Sequence, residues 1–239
     1  MINIHLLSGP RNISTAMMYA FAQRASCTVV DEPLYAAYLQ RTGLQHPGRE
    51  EVLLSQDTDP DIVIRDVIFK KYGTKEVFFK HMTHHLEGIN LDFLLEGRNI
   101  LLLRDPEKVL RSYSKVIAEP TVSDIGLPQA RQILDFLKWN NAHYYVLDAD
   151  VFLSDPARQT EALCSACDIP FDPNMLHWEP GARTEDGVWA KYWYANVHKS
   201  TGFTPFHSTE EALPEKLLPV LEQAQKIYTS LLQEENNQA

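Results

Sequence analysis

The sequence predicts an α/β fold in which helices cover both faces of a roughly five-stranded, mainly parallel sheet. Short apolar runs alternate with segments of helical spacing, which is the pattern of parallel strands joined by crossover helices. The clearest buried strand is NILLL at 99–103, and a helix over 106–117 follows it. The remaining predicted strands cover 2–7, 27–30, 77–80 and 143–147, and a helix over 14–24 follows the first of these.

Length and composition favour a single domain over residues 1–239. The chain is 44% hydrophobic, and its length suffices for a substantial core. Residues 44–66 are polar, and we expect a loop and a short helix lying over the sheet. Residues 177–208 are rich in Trp, Tyr, Gly and His and show neither the helical nor the strand periodicity. We therefore expect an irregular segment there that covers part of the fold, the covering segment. An amphipathic C-terminal helix is predicted over 209–233.

Charge and cysteine content restrict the partners of the chain. It has 22 Lys and Arg against 32 Asp and Glu, a net charge of −10, which argues against binding to nucleic acid or to an anionic membrane. No apolar run reaches the ~20 residues of a membrane span, and the first residues do not resemble a signal peptide. Three cysteines are too few for a disulfide framework. We therefore expect a cytoplasmic protein.

A candidate anion site follows the first strand, where SGPRNIST at 8–15 leads into a helix. Backbone N–H groups at a helix N-terminus attract anions. Ser14 and Thr15 add hydroxyl groups, and Arg11 adds a planar cation suited to phosphate. The pattern G-x-x-x-x-G-K-[ST] is absent, which disfavours magnesium-dependent use of a γ-phosphate. An ordinary strand-to-helix turn with a Ser cap fits the same residues.

A second candidate anion site begins where the strand at 99–103 ends. Arg104 follows that strand, Asp105 and Pro106 suit the start of a helix, and Ser112 lies eight positions after Arg104. We expect Arg104 to face the same crevice as the first loop, because ligands bind at the carboxyl ends of open α/β sheets. Each of the two sites combines a basic side chain with a hydroxyl group, which suggests a ligand with phosphates at two separate positions, such as a nucleoside bisphosphate. Alternatively, Arg104 pairs with a surface carboxylate and Ser112 lies on an ordinary helix face.

PRNIST followed by RDPEKVLRSYSK resembles the sulfotransferase family that uses 3′-phosphoadenosine 5′-phosphosulfate (PAPS). The resemblance covers roughly residues 2–176. It implies a three-layer P-loop-like fold and transfer of a sulfuryl group from PAPS to the hydroxyl or amine of a small-molecule acceptor, with no metal required. It assigns the 3′-phosphate to Arg104 and Ser112, and the 5′-phosphosulfate to the loop formed by Pro10, Arg11, Asn12, Ile13, Ser14 and Thr15.

The same resemblance suggests catalytic groups at two other strand ends. Glu32 ends the second strand and resembles the catalytic Glu of tyrosylprotein-type sulfotransferases, which makes it our candidate base. Alternatively, Asp31 and Glu32 only cap the next helix. Lys80 resembles the Lys that stabilises the leaving group beside the loop cation Arg11.

Histidines after Lys80 are alternative bases. Many cytosolic members carry a catalytic His in a KxH arrangement, but that position is Met82 here. His81 and His84 therefore remain candidates. Exposed histidines without a function also fit HMTHH. A metal site is disfavoured, because the spacing ties no carboxylate or Cys from elsewhere in the chain to these histidines.

In the covering segment, Arg183 and Trp189 are candidate cofactor contacts. Sulfotransferases close a late basic segment over the nucleotide, although the usual RKG-type sequence is missing here. Trp189 suits stacking on adenine, lining an acceptor pocket or simply covering the sheet edge.

Two other function classes stay open. A P-loop kinase or nucleotide hydrolase is disfavoured because Gly-Lys-[ST] is missing, and no evident magnesium-binding Asp follows an apolar strand. A non-catalytic nucleotide-binding protein on the same fold would be marked by the lack of a base.

Overall fold

A computed structural model describes residues 1–204 and 212–234. Its strands all run parallel in one sheet with the order β2-β3-β1-β4-β5, which confirms the predicted α/β class. The five strands of the described residues are β1 (Ile2–Ser8), β2 (Cys27–Asp31), β3 (Glu76–Met82), β4 (Arg98–Leu103) and β5 (Tyr145–Asp148).

Strand register determines which residues meet at the carboxyl edge of the sheet. Asp31 at the end of β2 lies opposite Lys80 of β3. Ser8, the last residue of β1, lies opposite Met82 of β3 and Leu102 of β4. The loop after β1 therefore begins beside the ends of both neighbouring strands.

Helices surround this sheet. The α-helices of the described residues are α1 (Ser14–Ala22), α2 (Tyr35–Thr42), α3 (Arg49–Ser55), α4 (Pro60–Val63), α5 (Pro106–Tyr113), α6 (Leu127–Trp139), α7 (Ala149–Ser154), α8 (Pro156–Ala166), α9 (Ala190–Trp193) and α10 (Leu218–Leu232). Short 3-10 turns cover Thr83–Leu86, Asp92–Leu94, Pro173–Leu176, Val197–Lys199 and Glu215–Leu217, and a π turn covers Ile64–Ile68.

Several helices are shorter than predicted. In α5, the N–H groups of both Val116 and Ile117 bond to the carbonyl of Tyr113, so the helix gives way to a tight turn before residue 117. The C-terminal helix begins only at Leu218, because Pro219 lies in its first turn and fixes the start there. Residues 209–211 of the predicted helix lie outside the described residues.

The two segments without a predicted period contain more regular structure than expected. Residues 44–66 form α3, α4 and the start of the π turn. The covering segment contains α9 and a 3-10 turn, and an antiparallel bridge joins His177 to Gly202. Its last residues, 205–208, lie outside the described residues.

Apolar side chains pack on both faces of the sheet, giving three layers. Alternate residues of a strand point to opposite faces. Phe78 and Leu102 accordingly pack in one core cluster, with residues of α1, α7 and α8. Phe79 and Leu101 pack in the other, with residues of α5, α6 and α10. Within the described ranges, no helix has both the length and the apolar character to cross a bilayer.

We expect Leu101→Ala to lower the free energy of unfolding by about 2–5 kcal/mol, because it leaves a cavity in the centre of the sheet. Leu101 is 0% exposed, whereas Leu54 is 89% exposed. The matched control Leu54→Ala should change the unfolding free energy by less than about 0.5 kcal/mol. Urea denaturation of the three proteins measures the difference, and equal losses in both variants would contradict the assigned core.

Candidate active site

A cleft of about 1000 Å³ opens at the carboxyl edge of the sheet. It is lined by the loop after β1, the ends of β2 and β3, helix α5 and the covering segment. The structure brings together here most of the residues singled out from the sequence: Pro10, Arg11, Asn12, Ile13, Ser14, Thr15, Glu32, Lys80, His84, Arg104 and Ser112. His81, Arg183 and Trp189 do not line it.

The loop after β1 has an unusual backbone that its own side chains fix in place. Arg11 has φ 56°, in the left-handed region that non-glycine residues rarely adopt. The Asn12 Nδ2 donates to the carbonyl of Leu102 at 3.0 Å, and its Oδ1 accepts from the N–H of Ile13 at 2.8 Å. These bonds anchor the loop to β4 and direct the chain into α1.

The start of α1 presents backbone donors to the cleft. The N–H of Met17 bonds to the carbonyl of Ile13 at 2.9 Å. The N–H groups of Ser14, Thr15 and Ala16 precede that bond and have no acceptor within the helix. All three residues line the cleft. With the positive end of the helix dipole, they form a local environment that favours an anion.

The two basic motifs meet directly. Arg11 Nε donates to Ser112 Oγ at 2.8 Å, and the guanidinium of Arg104 donates to the carbonyl of Arg11. Burial lowers the pKa of Arg104 to about 10, partly offset by the nearby carboxylates of Asp150 and Asp105. The side chain is therefore still a cation at neutral pH. Two cations and a hydroxyl thus lie side by side in a chain of net charge −10.

A buried charge cluster lies at the ends of β2 and β3. Lys80 Nζ donates to Asp31 Oδ1 at 2.8 Å, to Glu32 Oε1, and to the Tyr194 hydroxyl at 2.6 Å. Burial raises the pKa of Glu32 despite the opposing effect of Lys80. Burial acts to lower the pKa of Lys80, but Asp31 and Glu32 outweigh it and the pKa is raised. Glu32 is consequently a stronger base than an ordinary carboxylate.

The backbone of Glu32 also has a positive φ, of 37°. Its N–H donates to the carbonyl of Lys80 at 2.9 Å, and its carbonyl accepts from Gln56 Nε2 at 3.0 Å. Gln56 Oε1 in turn accepts from the N–H of Ala36 at 3.1 Å. Gln56 therefore fixes the turn between β2 and α2.

The histidines after Lys80 are buried, so the expectation of exposed histidines is wrong. Because β3 extends to Met82, His81 points to the face opposite Lys80, and its Nε2 lies 3.1 Å from His5 Nδ1. His84 and His85 line the cleft. The Nδ1 of His85 lies 3.8 Å from Glu32 Oε2. Among the described residues, no three His, Cys, Asp or Glu side chains are grouped to hold a metal ion.

Arg183 and Trp189 hold the covering segment rather than line the cleft. Arg183 lies over the ring of Tyr19, 4.5 Å from its centroid, and donates to the carbonyl of Glu179 at 3.0 Å. Trp189 is buried, and its Nε1 donates to the Tyr194 hydroxyl at 3.1 Å. The nucleotide contact expected of these two residues from the sequence stays a prediction.

Comparison with known proteins identifies the family. The family model described as a sulfotransferase domain matches residues 2–232. The chain belongs to the sulfotransferase family. The sulfotransferase domain of the Synechococcus PCC 7002 olefin synthase superimposes with a TM-score of 0.57 at 18% identity, covering 93% of this chain and 94% of that one. A sulfotransferase from Alicyclobacillus acidocaldarius gives 0.54 at 14% identity, covering 97% and 96%. These neighbours share the P-loop-like fold.

A longer curated protein also matches. Branched-chain-amino-acid aminotransferase-like protein 2 of Arabidopsis thaliana is 37% identical over 229 residues, 95% of this chain. The chain spans 41% of that relative's length.

Tyr194, His85 and Asp31 are among the residues at or near the cleft that the sequence pattern does not predict. Tyr194 and His85 line the cleft, and Asp31, considered only as a helix cap, accepts from both Lys80 and Tyr194. The pairing of β2 with β3, which sets Asp31 opposite Lys80, is what indicates a role for Asp31 beyond capping a helix. Tyr194 comes from the covering segment, where no periodicity indicates which aromatic residue points inward.

Buried neutral histidines should make the stability of the fold sensitive to acid. Burial, with a smaller effect of His46, lowers the pKa of His84 to about 3. The unfolded chain binds a proton at this site below about pH 6.5 whereas the folded chain does not. Stability is therefore fully present above pH 6.5 and falls as the pH decreases from there towards 3.

We expect His84→Gln to reduce the dependence of unfolding free energy on pH by up to about 1.4 kcal/mol per pH unit between pH 6 and 4.5. His177→Gln, which changes an exposed histidine, is the control and should leave the slope unaltered. Urea unfolding at several pH values provides the measurement. Identical slopes in the wild type and His84→Gln would refute a buried, neutral His84.

Proposed function

We propose that the chain is a single sulfotransferase domain that transfers a sulfuryl group from PAPS to the hydroxyl or amine of a small-molecule acceptor. Sulfuryl transfer is the chemistry of the family to which the chain belongs. The observation that carries the choice of PAPS is the contact of Arg11 with Ser112, with Arg104 bonded to the same loop. It joins two anion sites from distant parts of the chain in one cleft.

Each anion site suits one end of a nucleotide with two phosphate positions. In the proposal, Arg11, Ser14, Thr15 and the N–H groups at the start of α1 hold the 5′-phosphosulfate. Arg104 and Ser112 hold the 3′-phosphate. Lys108, Arg111 and Lys115 also line the cleft on the side of α5, where Lys108 pairs with Asp150 and Arg111 with Glu107.

Transfer requires a base for the acceptor and a cation for the leaving group. The acceptor oxygen or nitrogen attacks sulfur, and the bond from sulfur to the bridging oxygen breaks with its electron pair left on the 5′-phosphate. In the proposal, Glu32 takes the acceptor's proton, and its raised pKa suits that role. Arg11 and Lys80 stabilise the charge that develops on the phosphate.

Ligand-dependent melting tests the choice of nucleotide. We expect adenosine 3′,5′-bisphosphate to stabilise the fold by about 2.7 kcal/mol at a hundredfold excess over its dissociation constant. ATP with magnesium should stabilise it less, because it has no 3′-phosphate for Arg104. A shift in melting temperature with ATP and magnesium, but none with the bisphosphate, would favour a kinase or hydrolase instead.

Arg104→Ala should weaken binding of adenosine 3′,5′-bisphosphate by roughly 1.5–3 kcal/mol, the value of a charged hydrogen bond. Binding of adenosine 5′-phosphate, which lacks the 3′-group, should weaken much less. Arg98→Ala changes an arginine at the other end of β4, paired with Asp168, and serves as the control. Calorimetric titration measures the affinity for both ligands. Equal weakening of the two would show that Arg104 does not bind the 3′-phosphate.

Glu32→Gln should reduce turnover by roughly 10²–10⁴ because it keeps the size and removes the base. Affinity for the bisphosphate should remain nearly unchanged. Transfer of labelled sulfate from PAPS, after a screen of phenols, alcohols and amines, provides the assay. The control is Glu50→Gln, an exposed residue of α3. Turnover that survives Glu32→Gln and collapses in His84→Gln would transfer the role of base to the histidine.

A further inference from the structure

Lys80 has no hydrogen left to donate in the structure. An ammonium group has three N–H donors, and here they serve Asp31, Glu32 and Tyr194. The side chain is 1% exposed. A cation expected to contact a nucleotide phosphate must therefore exchange one of these partners for the ligand.

The three partners differ in how easily they are exchanged. Asp31 and Glu32 are carboxylates, and their charge, opposite to that of Lys80, adds Coulomb attraction to each of their hydrogen bonds. Tyr194 offers a neutral hydroxyl, because burial and the neighbouring carboxylates raise its pKa well above the ordinary value. Its bond to Lys80 is therefore the weakest of the three.

Tyr194 has two hydrogen bonds that do not involve Lys80. Its hydroxyl donates to Asp31 Oδ2 at 2.7 Å and accepts from Trp189 Nε1 at 3.1 Å. Asp31 Oδ2 also accepts from the N–H of Gly187 at 3.1 Å, a second link to the covering segment. The exchange therefore requires the loss of one hydrogen bond from the ammonium group to an uncharged hydroxyl, and it leaves the covering segment attached.

We propose that Tyr194 is a positioning residue whose hydroxyl occupies the Lys80 donor that a 5′-phosphate oxygen of the bound nucleotide takes. Tyr194 and Lys80 both line the cleft, together with the loop proposed to hold the 5′-phosphosulfate. On binding, the Lys80 bond to an uncharged hydroxyl is replaced by a bond to a negatively charged phosphate oxygen. Tyr194 thus competes with the nucleotide for Lys80. This inference rests on the proposed function.

The experiment removes the competitor. Tyr194→Phe should increase the affinity for adenosine 3′,5′-bisphosphate by roughly tenfold to a hundredfold, the equivalent of one hydrogen bond to a charged group. The affinity for adenosine 3′-phosphate, which has no 5′-phosphate, should show no such gain. A tyrosine with a purely structural role would only weaken binding when changed, and it would affect both ligands alike.

Matched variants separate this effect from general changes in the cleft. Tyr35→Phe removes another cleft hydroxyl, which bonds to His46 Nδ1 at 2.9 Å, and should give no selective gain. Tyr194→Phe also leaves the Trp189 N–H without its acceptor. If that variant unfolds, Tyr194→Phe combined with Trp189→Phe replaces it, with Trp189→Phe alone as its reference. Thermal melts confirm that each variant is folded.

Calorimetric titration of both nucleotides decides the outcome. A gain for the bisphosphate alone supports the exchange at Lys80. An unchanged or weakened affinity for the bisphosphate, or the same gain for both nucleotides, would overturn it while the proposed function stands. A wild-type protein that binds neither nucleotide would overturn the proposed function and this inference with it.

Discussion

The ion pair between Lys80 and Asp31 is the constraint on which the site depends. A buried ammonium group is stable only with a close partner, and removing one member of a buried pair costs about 3–5 kcal/mol. Asp31 lies opposite Lys80 because β2 and β3 pair in that register. The same carboxylate accepts from Gly187 and Tyr194, so the covering segment is fixed to the sheet by the charge that stabilises Lys80. One buried cluster thereby connects strand pairing, the covering segment and the proposed chemistry.

The sheet and the first anion site were predictable because local signals determine them. Five apolar runs separated by helical patterns define five parallel strands, and the loop at 8–15 lies where a strand leads into a helix. His81 lies away from the cleft because of where β3 ends: a strand that stopped at Lys80 would leave the next residues free to turn into the cleft. The strand continues to Met82, so alternation directs His81 towards His5.

Tertiary contacts decide the remainder of the site, and the sequence pattern does not reveal them. His85 reaches the cleft because its ring stacks on Tyr35 and Tyr38, each 4.6 Å away between centroids. Trp189 and Tyr194 belong to the same short stretch, yet only Tyr194 lines the cleft. Which aromatic residue points inward depends on the acceptor that Asp31 provides on a distant strand.

Backbone strain is concentrated where the proposed chemistry takes place. Four non-glycine residues of the described ranges have positive φ, and two of them, Arg11 and Glu32, line the cleft. Such conformations cost about 1–3 kcal/mol each and persist only where surrounding contacts enforce them. Asn12 supplies those contacts for the loop, and Gln56 supplies them for the turn after β2. The cation and the base are therefore held in position before any ligand binds, and binding energy is not needed to order them.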